Sequence, residues 1–313
     1  MKKNMIFGVC AAVLVASSVT VFTQAKPTPA PTPVPTAAPA KAAASSALDL
    51  QVQLARAGFS TGEIDGVNGA NTKKALAAHM EIHKAAPDAT GETLEDYVLT
   101  AEDVDGPFIK IPTDMMAKAK LKSLGFTSLM ESLGEKFHTA PALLTKLNPG
   151  VKFAAGATIK VPKVDRTAPA ADTAPAAEVT VIVSKSESTV RVYTNAGKLL
   201  MYAPVTSGSE HDPLPIGDWA VTAVARNPPF NYNPDLFWDA DPKHAKATIP
   251  PGPNGPVGVV WIDISKEHYG LHGTPEPSKI GHTSSHGCVR LTNWDALKLA
   301  AFVKKGTKVR FVE

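Results

Sequence analysis

The stretch "YGLHGTPEPSKIGHTSSHGCVRLTN", residues 269–293, decides how the rest of the chain is read. It holds Cys288; the only other cysteine is Cys10, inside the first ten residues. His286 stands just before Cys288, and His272 lies upstream across the turn-rich "PEPSKIGHTS". A cysteine nucleophile works as thiolate, so it needs an imidazole to take its proton and a third group to orient that imidazole. Extended backbone over 286–288 would put His286 and Cys288 on one face. A returning loop would instead bring His272 alongside, so spacing leaves the base open between the two. Gly287 permits close backbone approach, and the amides around Cys288 offer donors to an oxyanion.

Two other readings use the same residues. His272, His286 and Cys288 are zinc-ligand types, with His282 and Glu276 as further donors. Free cysteine also often just fills a core, but His-Gly-Cys in a turn-rich stretch is a poor filler. His282 reads as an ordinary loop residue. Tyr269, beside the strand that carries His272, either lines the cleft or packs.

Outward from the motif, alternation argues strands in "VTVIVSKSESTVRVYTNAGKLLMYAPVTSG", "GDWAVTAVAR" and "VGVVWIDIS", with turns at Asn195-Gly197 and Ser207-Gly208. The long "NPPFNYNPDLFWDADPKHAKATIPPGPNGP" between the last two is Pro/Asn-rich, and insertions of that length are usually lids or substrate walls. After the motif, "TNWDALKLAAFVKKGTKVRFV" reads as a helix capped by Thr292, with Asp295 completing a capping box. Lys304 and Lys305 are expected in its last turn, and Gly306 at its stop. The segment is predominantly β with one clear helix.

The N-terminus bounds the compartment. Lys2 and Lys3, the apolar "MIFGVCAAVLVASSVTVF" and small Thr23 and Ala25 have the layout of a secretory signal peptide, residues 1–25. An uncleaved anchor is the alternative, since roughly 18 apolar residues just span a membrane. Cleavage removes Cys10 and leaves one thiol, which cannot close an internal disulfide. With 32 basic and 29 acidic residues, the chain has no electrostatic footprint for nucleic acid. Two Pro/Ala-rich spacers, 26–46 and 164–178, cannot build a core. They isolate 47–163 from the β-rich 179–313.

Three resemblances follow from these residues. "HGT", a loop and "SHGCVRLTN" resemble the signature of the L,D-transpeptidase catalytic domain, over 179–313. "GFSTGEIDGVNGANT", through Gly58, Phe59, Gly62, Ile64, Asp65, Gly66, Gly69, Asn71, Thr72 and Ala75, resembles the peptidoglycan-binding three-helix module over 47–90; "AAHMEIHK" replaces its Phe-Gln close. "SLGEKFHTAPALLTKLNPG" with "GATIKVP" looks like a degenerate LysM module within 91–163, although its first strand is not readable upstream. His138 there reads as a helix residue, exposed or packed.

The fold so implied is multidomain. A mainly β catalytic domain, a mixed β-sandwich with one helix, follows a small α-helical peptidoglycan-binding module and an α+β LysM-like segment. The catalytic resemblance implies Cys288 as acylated nucleophile and His272 as general base, oriented by the carbonyl of Gly273. It implies His286 in the catalytic set, and Ser285, Gly287, Arg290 and Tyr269 as support for substrate and oxyanion. No metal or other cofactor is implied, and carbapenems are expected to acylate the thiol. The expected enzyme is periplasmic and serves peptidoglycan biosynthesis, cell-wall organisation and cell shape. Its partners are peptidoglycan stem peptides and glycan, with a lipoprotein lysine as an alternative acceptor and the membrane met only through the signal segment. A hydrolase using the same acyl-enzyme, and a non-catalytic wall-binding protein, are the rival functions. The helical module, on a flexible tether, would raise the local substrate concentration.

Overall fold

The computed structural model describes residues 46–167 and 178–313, which fall within one compact unit. The signal segment, nearly all of the first spacer and residues 168–177 of the second lie outside the described residues. No helix among the described residues is long and apolar enough to cross a membrane.

The "LDLQVQLAR" stripe forms helix α1 (Ser46–Arg56), with Leu48, Val52 and Leu54 buried. After the "STGEIDGVNG" turns comes α2 (Ala70–His83). Its N-cap is Gly69, two residues before Asn71 and three before Thr72. Both side chains are engaged elsewhere: Asn71 Nδ2 donates to the Ile280 carbonyl at 2.9 Å, and buried Thr72 accepts from Gln51 Nε2 at 3.1 Å.

Next come β1 (Leu94–Val98), α3 (Ala101–Asp105), α4 (Met115–Lys118), α5 (Leu129–Lys136), α6 (Pro141–Leu147) and β2 (Thr158–Pro162). β1 pairs antiparallel with β2 around a core of Leu99, Leu133, Phe137, Leu144, Ile159 and Val161. β1 is the strand that the sequence reading did not find. Glu95 and Asp96 break its apolar pattern, and each is held by a cation, Arg166 and Lys160. Residues 106–127, between α3 and α5, leave this unit and pack against the long insertion of the β-rich half.

That half contains β3 (Val179–Ser184), β4 (Thr189–Thr194), β5 (Leu199–Pro204), β6 (Thr206–Ser207), β7 (Gly217–Arg226), β8 (Phe230–Tyr232), β9 (Ala247–Ile249), β10 (Val260–Ile264), β11 (Gly270–His272), β12 (Val289–Arg290), α7 (Asn293–Phe302) and β13 (Lys308–Val312). Nine strands run in the order β5-β4-β3-β13-β7-β10-β11-β12-β6. β7 serves two neighbours in turn. Gly217–Ala220 pair with β13, and the rest of the strand pairs with β10 beyond a bulge at Asp263/Ile264. Such a switch lets one ribbon fold into two layers over a shared core. Val181, Val190 and Val309 from one arm meet Ile262, Leu271 and Val289 from the other, with Ala296 and Leu299 of α7.

The helix reading needs two corrections. α7 ends at Phe302, so Lys304 and Lys305 lie beyond its last turn, where Thr307 Oγ1 holds the Lys304 amide at 2.9 Å. Thr292 does cap it, accepting from the Asp295 amide at 3.2 Å, but the Asp295 carboxylate takes the hydroxyls of Thr292 and Ser60.

The helical pair is no tethered appendage. Its turn extends the nine-stranded sheet, with the Ser60 amide donating to the Tyr202 carbonyl at 2.9 Å and the Tyr202 amide to the Gly58 carbonyl at 3.0 Å. Phe59 and Tyr202 stack in a buried cluster at 5.9 Å. The same turn meets the segment 91–163, where the Ile64 amide donates to the His138 carbonyl.

Candidate active site

Parallel pairing of β11 with β12 sets Leu271 opposite Val289 and His272 opposite Arg290. One residue back, Cys288 falls beside Gly270, and the side chains of 272, 288 and 290 project from one face. Gly270 leaves that face open toward Trp261; a Cβ there would lie 2.6 Å from its indole. Trp261 in turn stacks on the His272 imidazole at 5.5 Å.

His272 Nδ1 lies 2.7 Å from the Gly273 carbonyl oxygen. A carbonyl only accepts, so Nδ1 carries the proton and Nε2 is left with a lone pair. Burial pushes the His272 pKa down to about 4, and the positive charge of Arg290 acts in the same direction. Burial also pushes the Cys288 thiol above its ordinary range, against the Gly270 backbone and Arg290, which favour the thiolate. Both groups are therefore neutral at pH 7, the one a thiol and the other an imidazole.

The backbone over 286–288 is not extended. Gly287 takes φ +97°, where only glycine is at ease, and a Cβ there would be 2.5 Å from the Tyr269 ring. The turn sends His286 away from Cys288: its Nε2 meets Asp239 Oδ1 at 2.9 Å, and its ring packs on Phe237 at 5.3 Å. Tyr269 covers Gly287, and burial raises its phenol pKa. Ser285 is buried, donating to the Cys288 carbonyl at 2.6 Å and accepting from the Gly208 amide at 2.8 Å. Arg290 is half-buried on the His272 face, its charge facing Cys288, Glu276 and Asp239. His282 is exposed in the loop, as read. Among the described residues, no three of His, Cys, Asp and Glu are grouped to hold a metal ion.

Three features of the site escaped the sequence reading. Asn293, wholly buried, accepts from the Val259 amide at 3.1 Å and packs on Gly273; a Cβ on that glycine would be 2.2 Å from Asn293 Oδ1. It braces the carbonyl that orients His272, and it bonds the Glu135 carboxyl of α5. Trp261 gave no signal beyond an aromatic in a strand. Asp239 lay in an insertion whose register with the motif no spacing reveals.

A thiol on the same face as an oriented neutral imidazole can carry an acyl group as a thioester. Residues 178–311 match the YkuD L,D-transpeptidase catalytic domain family. YkuD of Bacillus licheniformis, whose name gives it as an L,D-transpeptidase, is 32% identical over 183 residues, 58% of this chain and 91% of that protein. Its Bacillus subtilis counterpart is 29% identical over 182 residues, with the same 58% and 91% covered. The solved L,D-transpeptidase from Mycobacterium smegmatis aligns with 54% of this chain and 79% of its own, at 18% identity and a TM-score of 0.36. The chain belongs to the L,D-transpeptidase family.

Proposed function

We propose that the protein is an exported, periplasmic transpeptidase in which Cys288 forms a thioester with a peptidoglycan tetrapeptide stem. The carrying observation is the bond from His272 Nδ1 to the Gly273 carbonyl, which leaves Nε2 as acceptor on the face Cys288 shares. Cys288 Sγ bonds to the carbonyl carbon of the third, L-centred residue while its proton passes to His272 Nε2. The oxyanion that forms is received by amides about Gly287 and Cys288. It collapses, the C–N bond to the terminal D-alanine breaks, and the imidazolium returns its proton to the leaving amine. An amine of a second stem then attacks the thioester, the C–S bond breaks, and a 3→3 cross-link results; a lipoprotein lysine is the alternative acceptor. Arg290, with its cation on this face, suits a carboxylate of the donor stem. Residues 47–90 and 91–163 are read as wall-binding modules fixed to this site.

Intact-mass spectrometry with a carbapenem tests the acylation. One adduct per chain, absent in Cys288→Ala and slowed in His272→Ala, supports the reading. Normal acylation of His272→Ala with loss in His286→Ala would transfer the base to His286. Product analysis then separates cross-linked dimers from tripeptide, the product of hydrolysis.

A further inference from the structure

We infer that Asp239 and Trp238, at the tip of the 227–256 insertion, are positioning residues. They latch this segment shut beside the nucleophile through His286 and Asp212, and so set whether an amine or water resolves the thioester. The inference rests on the acyl-enzyme reading above.

The insertion has a fixed base and a lightly held tip. At the base, β8 and β9 form a hairpin packed on residues 109–126: Tyr232 and Ile249 share a buried cluster with Leu124, flanked by Ile111 and Met115. The Leu124 amide donates to the Pro251 carbonyl at 2.8 Å, and the Asn254 amide to the Leu124 carbonyl at 3.0 Å. Gly252, at φ +146°, passes so close to this backbone that a Cβ would lie 2.2 Å from the Leu124 oxygen. His244 joins the two segments, with Nδ1 at 2.9 Å from the Tyr232 hydroxyl and Nε2 at 2.8 Å from Asp114 Oδ2.

The tip is held from two sides. His286 Nε2 donates to Asp239 Oδ1 at 2.9 Å, and the Trp238 indole N–H donates to Asp212 Oδ2 at 3.0 Å. Both receiving points are tied to Cys288. His286 is separated from it only by Gly287. The Asp212 loop, held by the mutual bond of the Ser209 amide to the Asp212 carbonyl, runs back to Gly208, which is bonded both ways to Ser285; Ser285 donates to the Cys288 carbonyl. The contacts close a ring of Cys288, Ser285, Gly208, Asp212, Trp238, Asp239 and His286 around the nucleophile.

Exposure of the latching groups decides its character. Asp239 and His286 side chains are 46% and 30% exposed, and Trp238 is 61% exposed. Pairs so wetted contribute little stability, so the tip can open to admit a stem while the base stays in place. Once shut, it shields the thioester carbonyl. Water reaching that carbon would form the C–O bond, break the C–S bond and release tripeptide carboxylate, with His272 handing the proton back to the thiol. An amine acceptor long enough to enter along the tip forms the C–N bond instead.

The test compares wild type with Asp239→Ala, Asp239→Asn, Trp238→Ala and, as a tip control, Asp241→Ala. One portion of each is acylated by a carbapenem and followed by intact mass, and a separate, untreated portion is given a donor stem with an excess acceptor stem. The ratio of cross-linked dimer to tripeptide is the readout. A shift toward tripeptide of about fivefold is expected in Asp239→Ala and Trp238→Ala, the scale of one exposed pair. Asp239→Asn, which keeps an oxygen acceptor for His286, should recover part of it, and Asp241→Ala should match wild type. An unchanged ratio in both latch variants would overturn the latch. So would loss of acylation in Asp239→Ala with the fold intact, since Asp239 would then act on the nucleophile itself. Failure of wild type to acylate would instead overturn the acyl-enzyme reading.

Discussion

Ser60 Oγ donates to Asp295 Oδ2 at 2.8 Å, joining the turn after α1 to the first turn of α7. Asp295 is 3% exposed, and burial pushes its pKa up to about 6. The helical pair therefore completes the packing of the helix that begins at Thr292 and Asn293, right behind the His272 carbonyl partner. Ser60→Ala should lower stability by about 1–2 kcal/mol, the cost of leaving a buried acceptor short of a donor. Removal of 47–90 should lower both the melting temperature and the turnover of a small soluble stem, because it bares Tyr202 and Asp295. A truncated protein that melts and turns over like the full chain would restore the tethered picture.

Neutral resting partners predict an unusual pH response. The His272 pKa, about 4, lies below imidazole's ordinary 6.5, so the unfolded chain takes up the proton first. The stability that neutral His272 contributes is then full above about pH 6.5 and lost as pH falls toward 4. His138, stacked on Trp294 at 5.0 Å and also lowered to about 4 by burial, acts with the same sign. Acylation should hold its rate down to about pH 5 rather than falling through 6.5. Alkylation of Cys288 by iodoacetamide should climb only above pH 9, the thiol being raised from an ordinary 9.0. A thiol that alkylates fully at pH 6 would mean a thiolate–imidazolium pair instead.

Gly287, next to the thiol, has no room for a methyl group. Alanine there must hold φ near +97° and also displace the Tyr269 ring from 2.5 Å. Gly287→Ala should reduce the acylation rate by roughly 100-fold or more, the scale of a misplaced nucleophile. Circular dichroism should show the fold retained. Gly197→Ala, in an open hairpin turn with the same sign of φ, should strain the backbone without touching acylation.

Glu135 is held protonated well above the usual carboxylate range, to about 8, by burial first and then by Glu131, Asp295 and Glu63; its bond with Asn293 opposes the shift. The folded protein keeps this proton longer than the unfolded chain. Its contribution is full below about pH 4.5 and lost as pH rises through 8. Glu135→Gln, which cannot ionise, should flatten the decline in melting temperature between pH 6 and 9 while keeping an oxygen for Asn293. An identical decline in the variant would place the titration elsewhere, with Asp295 or Glu63.

Local chemistry made much of this molecule readable. Alternating Val and Ile mark β3, β4 and β10; Thr292 before an apolar helical run marks the start of α7; and "HGT" with "SHGCVRLTN" marks the site. β1 was hidden because two consecutive carboxylates, half-buried Glu95 on one face and exposed Asp96 on the other, break the apolar alternation, each held by an ion pair. The partner of His286 was equally hidden, since Asp239 reaches it from a separate segment.

By itself the sequence determined which groups stand together for the proposed chemistry: one thiol, two nearby imidazoles and a glycine between them. It also determined that the second half is built of strands. The preference for His272 over His286 in the proposed mechanism rests on tertiary structure, for a reason of backbone geometry. Parallel pairing of β11 with β12 puts His272 on the face of Cys288, while the positive φ of Gly287 turns His286 toward the insertion. Tertiary packing alone also decided that the N-terminal helices are part of the enzyme's body. Buried contacts such as Phe59–Tyr202 and Ser60–Asp295 join residues far apart in sequence, and no local pattern encodes such a pairing.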